Sequence, residues 1–157
     1  MPRLGGGSTS DAMISYRQSF PDDGDRVVEI WRRAVDATHD FLSPEDRAAI
    51  EEEVKGFLST APMWLAVDEA DVAVAFMLLE GAHMQALFVD PDHRGTGVGR
   101  NLVTLALATQ PTLTTDVNEQ NAQAVGFYER MGFVVTGRSP TDGQGRGYPL
   151  VHLRKGA

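Results

Sequence analysis

Cysteine is absent from the 157-residue chain, which excludes a disulfide scaffold, a thiolate zinc site and a cysteine nucleophile. No run approaches the roughly 18 apolar residues of a membrane span, and the opening around Arg3 and Gly5-Gly6-Gly7 lacks the apolar core of a signal peptide. Basic residues are in deficit: 14 Lys and Arg stand against 22 Asp and Glu, a formal net charge of −8. A nucleic-acid groove needs a basic surface, so nucleic acid is not an expected partner. No internal repeat or linker interrupts the chain. The expectation is a cytoplasmic protein with no metal and no membrane association.

What is present is an ordinary globular composition, 42% hydrophobic and 23% charged, in one domain's length of chain. Residues 1–12, small, polar and glycine-rich, read as a disordered leader or non-native remnant, and 13–157 as a single domain. Charge is unevenly placed. Residues 1–80 carry 7 basic and 16 acidic side chains, whereas 81–157 carry 7 and 6. An acidic half draws cations through its long-range field and the other half tolerates an anion, although such acids also simply solvate helix faces.

Periodicity supplies the elements. Met13–Gln18 alternates as a strand. Val27, Trp31, Ala34, Val35 and Thr38 fall on one helical stripe. Ser43-Pro44-Glu45-Asp46 reads as an N-cap, a first-turn proline and first-turn acids, and Ile50, Val54, Phe57 and Leu58 continue that helix until Ala61-Pro62. Met63–Val67 and Val72–Leu79 form a hairpin pattern, with Gln85–Val89 as a further short strand. Val98, Leu102, Leu105 and Ala106 mark a third helix, Leu113–Val117 a strand, and Ala124, Phe127, Tyr128 and Met131 a fourth helix closed by Gly132. Val134–Gly137 and Leu150–Leu153 are the last strands. The order β-α-α-β-β-β-α-β-α-β-β predicts the α/β class, with a mixed, mostly antiparallel central sheet flanked by helices. Trp31, Phe41, Trp64 and Phe76 could line a pocket, but they mostly satisfy core periodicity. An exposed edge strand near the C-terminus could pair two copies as a homodimer, or be covered.

Chemistry concentrates between Leu87 and Arg100, where a strand runs through Asp90-Pro91 into Gly95, Gly97 and Gly99 and then straight into a helix. Glycines let amide N–H groups converge on a ligand, and the helix start adds positive charge, so the segment predicts an anion site, most naturally for phosphates. Arg94 and Arg100 flank it. A P-loop is set aside because no lysine–hydroxyl pair follows the glycines. A dinucleotide fingerprint needs G-x-G-x-x-G; the spacing differs, although Asp116 lies about 20 residues on, where a ribose-binding acid would be. Too little chain follows for a doubly wound sheet.

Arg94-x-x-Gly97-x-Gly99 matches the R/Q-x-x-G-x-G/A pyrophosphate loop of the GNAT family of N-acetyltransferases. Residues 118–133, from Asn118 and Asn121 through Ala124, Phe127-Tyr128 and Gly132-Phe133, resemble that family's N-x-x-N-x-x-A-x-x-F-Y-x-x-x-G-F segment. The resemblance covers residues 13–155 and implies the GNAT fold, with two strands splayed to form a cleft for acetyl-CoA. It implies that Leu87, Phe88 and Val89 offer backbone to the pantetheine as an added strand would. The amide near Phe88 would face the thioester carbonyl. Gly95, Thr96, Gly97, Val98, Gly99 and Arg100 would cradle the pyrophosphate together with Arg94. Asn118 would reach the pantetheine, and Asn121 either does so or caps the following helix, the cap being favoured. Phe127 is expected in the core.

The implied reaction is direct acetyl transfer to a primary amine, lysine or a small amine, through a ternary complex. Tyr128 is the expected general acid, since a phenol near pKa 10 can protonate a leaving thiolate. His39, Glu80, His83 and Asp116 are candidates for taking the amine's proton, with direct loss to water as an alternative. His39, Asp40, Phe41, Glu80 and His83 are expected at the acceptor side. The acidic first half favours a cationic acceptor. A non-catalytic acyl-CoA-binding module and a dinucleotide-binding protein are the rival readings.

Overall fold

The computed structural model describes residues 14–156; the leader expected over residues 1–12 lies outside them. Among the described residues seven strands and four α-helices follow the expected order: β1 (Ser15–Gln18), α1 (Gly24–Thr38), α2 (Pro44–Leu58), β2 (Trp64–Val67), β3 (Ala73–Glu80), β4 (His83–Val89), α3 (Val98–Thr109), β5 (Leu113–Asn118), α4 (Ala122–Arg130), β6 (Val134–Ser139) and β7 (Leu150–Lys155). β4 starts two residues earlier than the pattern suggests. Gly81, at φ 59°, closes a two-residue turn that pairs Glu80 directly with His83, a geometry that glycine adopts without steric cost.

The strands form one sheet in the order β1-β2-β3-β4-β5-β7-β6. Every neighbouring pair is antiparallel except β4–β5. One parallel pair is too few for a doubly wound sheet, and the dinucleotide reading falls with it.

Alternation along the strands sends side chains to two cores. Phe76 and Leu78 of β3 face Ile30, Trp31 and Val35 of α1, with Leu58 of α2 in the same cluster. Ala75 and Met77 face the opposite way, into a cluster with Leu102 and Val103 of α3 and Tyr128 of α4. Helices α1 and α2 therefore cover the β2–β4 part of one face, and α3 and α4 pack on the other. On the first face the β5–β7 part carries polar side chains: His83, Asp116 and His152 all remain about one-third exposed.

β4 and β5 pair only at His83–Thr114 and Met84–Thr115 and then separate. The physical cause sits at that point. The β3–β4 register runs Leu78–Ala86 and then Leu79–Met84, so Gln85 is an extra residue on β4. A bulge bends its strand and ends pairing, and here it turns β4 away from β5. At the far edge of the sheet, β6 exposes Val134 and Val135.

Candidate active site

The divergence of β4 and β5 opens a cleft of about 500 Å³. Its walls are Leu87, Phe88 and Val89 of β4, the loop at His93, Arg94, Gly95 and Gly97, the first turn of α3 at Val98, Gly99 and Arg100, the α4 region from Asn121 to Arg130, and Ala34, Thr38 and His39 at the end of α1. Among the described residues three arginines and no carboxylate line it, in a chain whose net charge is −8. Several acids of the first half sit in ion pairs away from the cleft, such as Asp23 and Asp71 with Arg17 and Asp36 and Glu51 with Arg47.

The start of α3 is built to receive an anion. Gly97 is its N-cap and no side chain caps it. The first helical bond runs from Asn101 N–H to Gly97 C=O at 2.9 Å, so the amides of Val98, Gly99 and Arg100 have no intrahelical partner. Gly95 and Gly97 hold φ of 77° and 89°, conformations that cost an L side chain about 1–2 kcal/mol. A Cβ on Gly99 would sit 3.4 Å from Val89 Cγ2 and 3.6 Å from Phe127 Cζ, narrowing the floor of the cleft. Arg94 donates through Nη1 to Gln123 Oε1 of α4 at 3.4 Å, while its Nη2 is buried without a partner, as is His93 Nδ1. An orphaned buried guanidinium nitrogen beside uncapped amides is the donor set that a diphosphate satisfies.

Asp90, which sequence reasoning missed, fixes the loop. Its carboxylate is almost wholly buried and accepts from Arg26 Nη2 at 2.8 Å, Arg33 Nη1 at 2.7 Å and the Asp92 amide at 2.9 Å. Burial alone would raise its pKa; the Asp92 amide and the two guanidinium groups outweigh that and hold it below the usual carboxylate range. Arg26 also donates to Ala73 C=O of β3 at 2.8 Å, tying α1, β3 and the loop together. The Asp90-Pro91-Asp92 turn was readable from the sequence; its two arginine partners were not.

Tyr128 is buried yet lines the base of the cleft. Its hydroxyl interacts with Thr115, the residue at which β4–β5 pairing ends. Desolvation pushes the phenol above its ordinary value, with the Thr115 hydrogen bond opposing weakly, so the phenol is protonated throughout the neutral range. Phe127 meets Tyr128 edge-on, ring centroids 5.1 Å apart; it packs against the core and also lines the cleft.

His39 borders the opposite wall. Burial lowers its pKa to about 4, with Asp40 opposing, so the ring is neutral at physiological pH. Thr38 Oγ1 donates to Ala34 C=O at 2.8 Å and lies 2.7 Å from His39 Nδ1. With its own proton committed, that hydroxyl accepts, which puts the imidazole proton on Nδ1 and leaves Nε2 a free lone pair. Phe41 stacks between His39 and Tyr148, at centroid distances of 5.2 and 5.9 Å.

Of the other expected residues, all but Asn121 lie outside the cleft lining. Thr96 donates to His93 C=O at 2.6 Å and shapes the loop. Asn118 ends β5, its carbonyl accepting from the Asn121 amide at 2.9 Å. Asn121 caps α4, its Oδ1 accepting from the Ala124 amide at 3.2 Å, and also reaches the cleft. Asp40 and Phe41 flank His39 without lining the cavity. Glu80 bonds Gln85 at the β3–β4 hairpin. His83 joins Thr114 and Asp116 on the uncovered sheet face.

A family profile described as an acetyltransferase (GNAT) domain matches residues 29–155. The chain is 59% identical over 141 residues to the peptidyl-lysine N-acetyltransferase YjaB of Escherichia coli strain K12, covering 90% of this chain and 96% of the relative. It is 58% identical to YjaB of Salmonella typhimurium strain LT2, covering 90% and 97%. The solution structure of apo-form YjaB from Escherichia coli superposes with a TM-score of 0.88 at 59% identity, covering 92% of this chain and 99% of that one. Sheet order, bulged strand, uncapped helix start and these likenesses agree, and the chain belongs to the GNAT acetyltransferase family.

Proposed function

We propose that this chain transfers the acetyl group of acetyl-CoA directly to the side-chain amine of peptidyl lysine in a ternary complex. The observation that carries the reading is the cleft itself: uncapped α3 amides and an orphaned Arg94 nitrogen at one end, a buried phenol at the other, and no carboxylate between. The names of the two YjaB relatives supply the acceptor class.

When bound, acetyl-CoA supplies a thioester whose attack by an amine expels a thiolate. The amides of Val98, Gly99 and Arg100, with Arg94, hold the diphosphate. Beyond Met84 the β5-facing edge of β4 is unpaired, and Leu87–Val89 offer their backbone to the pantetheine arm as a partner strand would. Phe88 N–H would serve the thioester oxygen, and the Tyr128 O–H, bonded to Thr115 in this structure, would turn to the sulfur. A protonated phenol at this position can give its proton to the leaving thiolate. His39, neutral and lining the cleft, accepts an N–H from the incoming amine through Nε2 and orients it rather than storing its proton.

Thiol release from acetyl-CoA with a lysine peptide tests the reading. Tyr128→Phe is expected to lower kcat about 10²–10³-fold while leaving acetyl-CoA affinity within a few-fold; unchanged kcat would remove Tyr128 from the reaction. No acceptor-dependent thiol release by the unchanged chain would leave only an acyl-CoA-binding module.

A further inference from the structure

Free cations are gathered in one place. Among the described residues, every arginine outside the cleft except Arg154 forms at least one ion pair with a carboxylate. The three that line the cleft, Arg94, Arg100 and Arg130, form none. Acids outnumber bases in the chain by 22 to 14, so partners are not in short supply. The fold keeps them away from these three groups.

Arg94 and Arg100 stand with the open amides of α3, where a diphosphate fits. Arg130 stands apart, as the last residue of α4. Gln123, Gly126 and Arg130 fall at i, i+3 and i+7, one stripe of that helix, and Gln123 accepts from Arg94 Nη1 at 3.4 Å. The Arg130 side chain folds back along the stripe toward the helix start. A Cβ added to Gly126 would meet its Nη1 at 3.1 Å. Glycine weakens a helix interior relative to alanine; here its missing side chain leaves the space beside which the guanidinium lies. That group thus sits one turn from Gln123, about 4.5 Å along the helix axis. Glu129, adjacent in the chain, projects to another side of the helix and leaves the guanidinium unpaired.

We infer that Arg130 binds the phosphate monoester on the ribose of CoA, and that the chain thereby distinguishes CoA from dephospho-CoA. This rests on the acetyl-CoA reading of the cleft. A phosphate monoester carries a charge of about −1.5 to −2 at neutral pH and three strong acceptor oxygens. A guanidinium meets such a group with paired N–H donors. In CoA the monoester sits on the ribose next to the diphosphate, so a free cation one helical turn from the Arg94–Gln123 contact is placed to receive it. Arg94 and Arg100 stay with the diphosphate, which CoA and dephospho-CoA share.

Calorimetry with CoA and with dephospho-CoA, which lacks only the ribose phosphate, tests the assignment. The unchanged chain is expected to bind CoA about tenfold more tightly than dephospho-CoA. Arg130→Gln is expected to reduce that ratio to about twofold or less by weakening CoA alone, with dephospho-CoA affinity unchanged. Arg130 is exposed, so its replacement leaves the core intact. Arg94→Gln, by contrast, is expected to weaken both ligands and keep the ratio. Equal binding of the two ligands by the unchanged chain, or a ratio that survives Arg130→Gln, would overturn the assignment. So would a ratio lost in Arg100→Gln and kept in Arg130→Gln. Failure of the unchanged chain to bind either ligand would instead overturn the acetyl-CoA reading beneath it.

Discussion

Helices α2 and α3 begin in opposite ways. At α2, Ser43 Oγ accepts from the Asp46 amide at 3.1 Å, Pro44 occupies the first turn, and Glu45 and Asp46 sit against the positive end of the helix. A side-chain cap, a first-turn proline and first-turn acids together quiet this helix start. At α3 a left-handed glycine stands at the cap, no side chain accepts from the first turn, and no acid lies within it. The difference teaches where the molecule holds unfilled hydrogen-bonding capacity. One terminus is satisfied from within and contributes stability; the other is left open and flanked by arginines, with donors to spare for a ligand.

Substitutions at the two sites should therefore fail in different currencies. Arg94→Gln carries the larger effect. Removing a charge-assisted bond of about 1.5–3 kcal/mol lowers CoA affinity roughly 10–100-fold. The melting temperature stays level or rises, because a buried nitrogen without a partner disappears. Titration calorimetry and a thermal melt read both. Ser43→Ala is the smaller and opposite case. Losing the cap costs about 1 kcal/mol, or about 2–4 °C in Tm for a chain of this size, with CoA affinity unchanged. A loss of affinity in Ser43→Ala, or a loss of stability without affinity change in Arg94→Gln, would erase the distinction.

Much of this was legible in the sequence because its causes are local. Element order, the Ser43 cap, the glycine loop and Tyr128 on α4 all follow from spacing within one or two turns. What escaped depends on partners far apart in the chain. Asp90 meets Arg33 and Arg26 across 57 and 64 residues, and no local pattern signals that meeting. The Gln85 bulge exists only in the register between β3 and β4, so the cause of the splay is invisible in either strand alone. His152 was read as part of a strand and nothing more, since its hydrogen bonds with Asp116 and Ser139 require three strands to be aligned. Net charge by itself does not show where acids sit: it counts them without showing that arginines hold several of those on the helices or that, among the described residues, no carboxylate lines the cleft.

The uncapped start of α3 is proposed to grip a diphosphate. Calorimetry comparing CoA with pantetheine, which shares the arm but lacks the nucleotide diphosphate, measures that grip directly. Tight, salt-sensitive binding of CoA with pantetheine weaker by at least about tenfold is the predicted result. Equal affinities, or no heat from CoA at all, would contradict it.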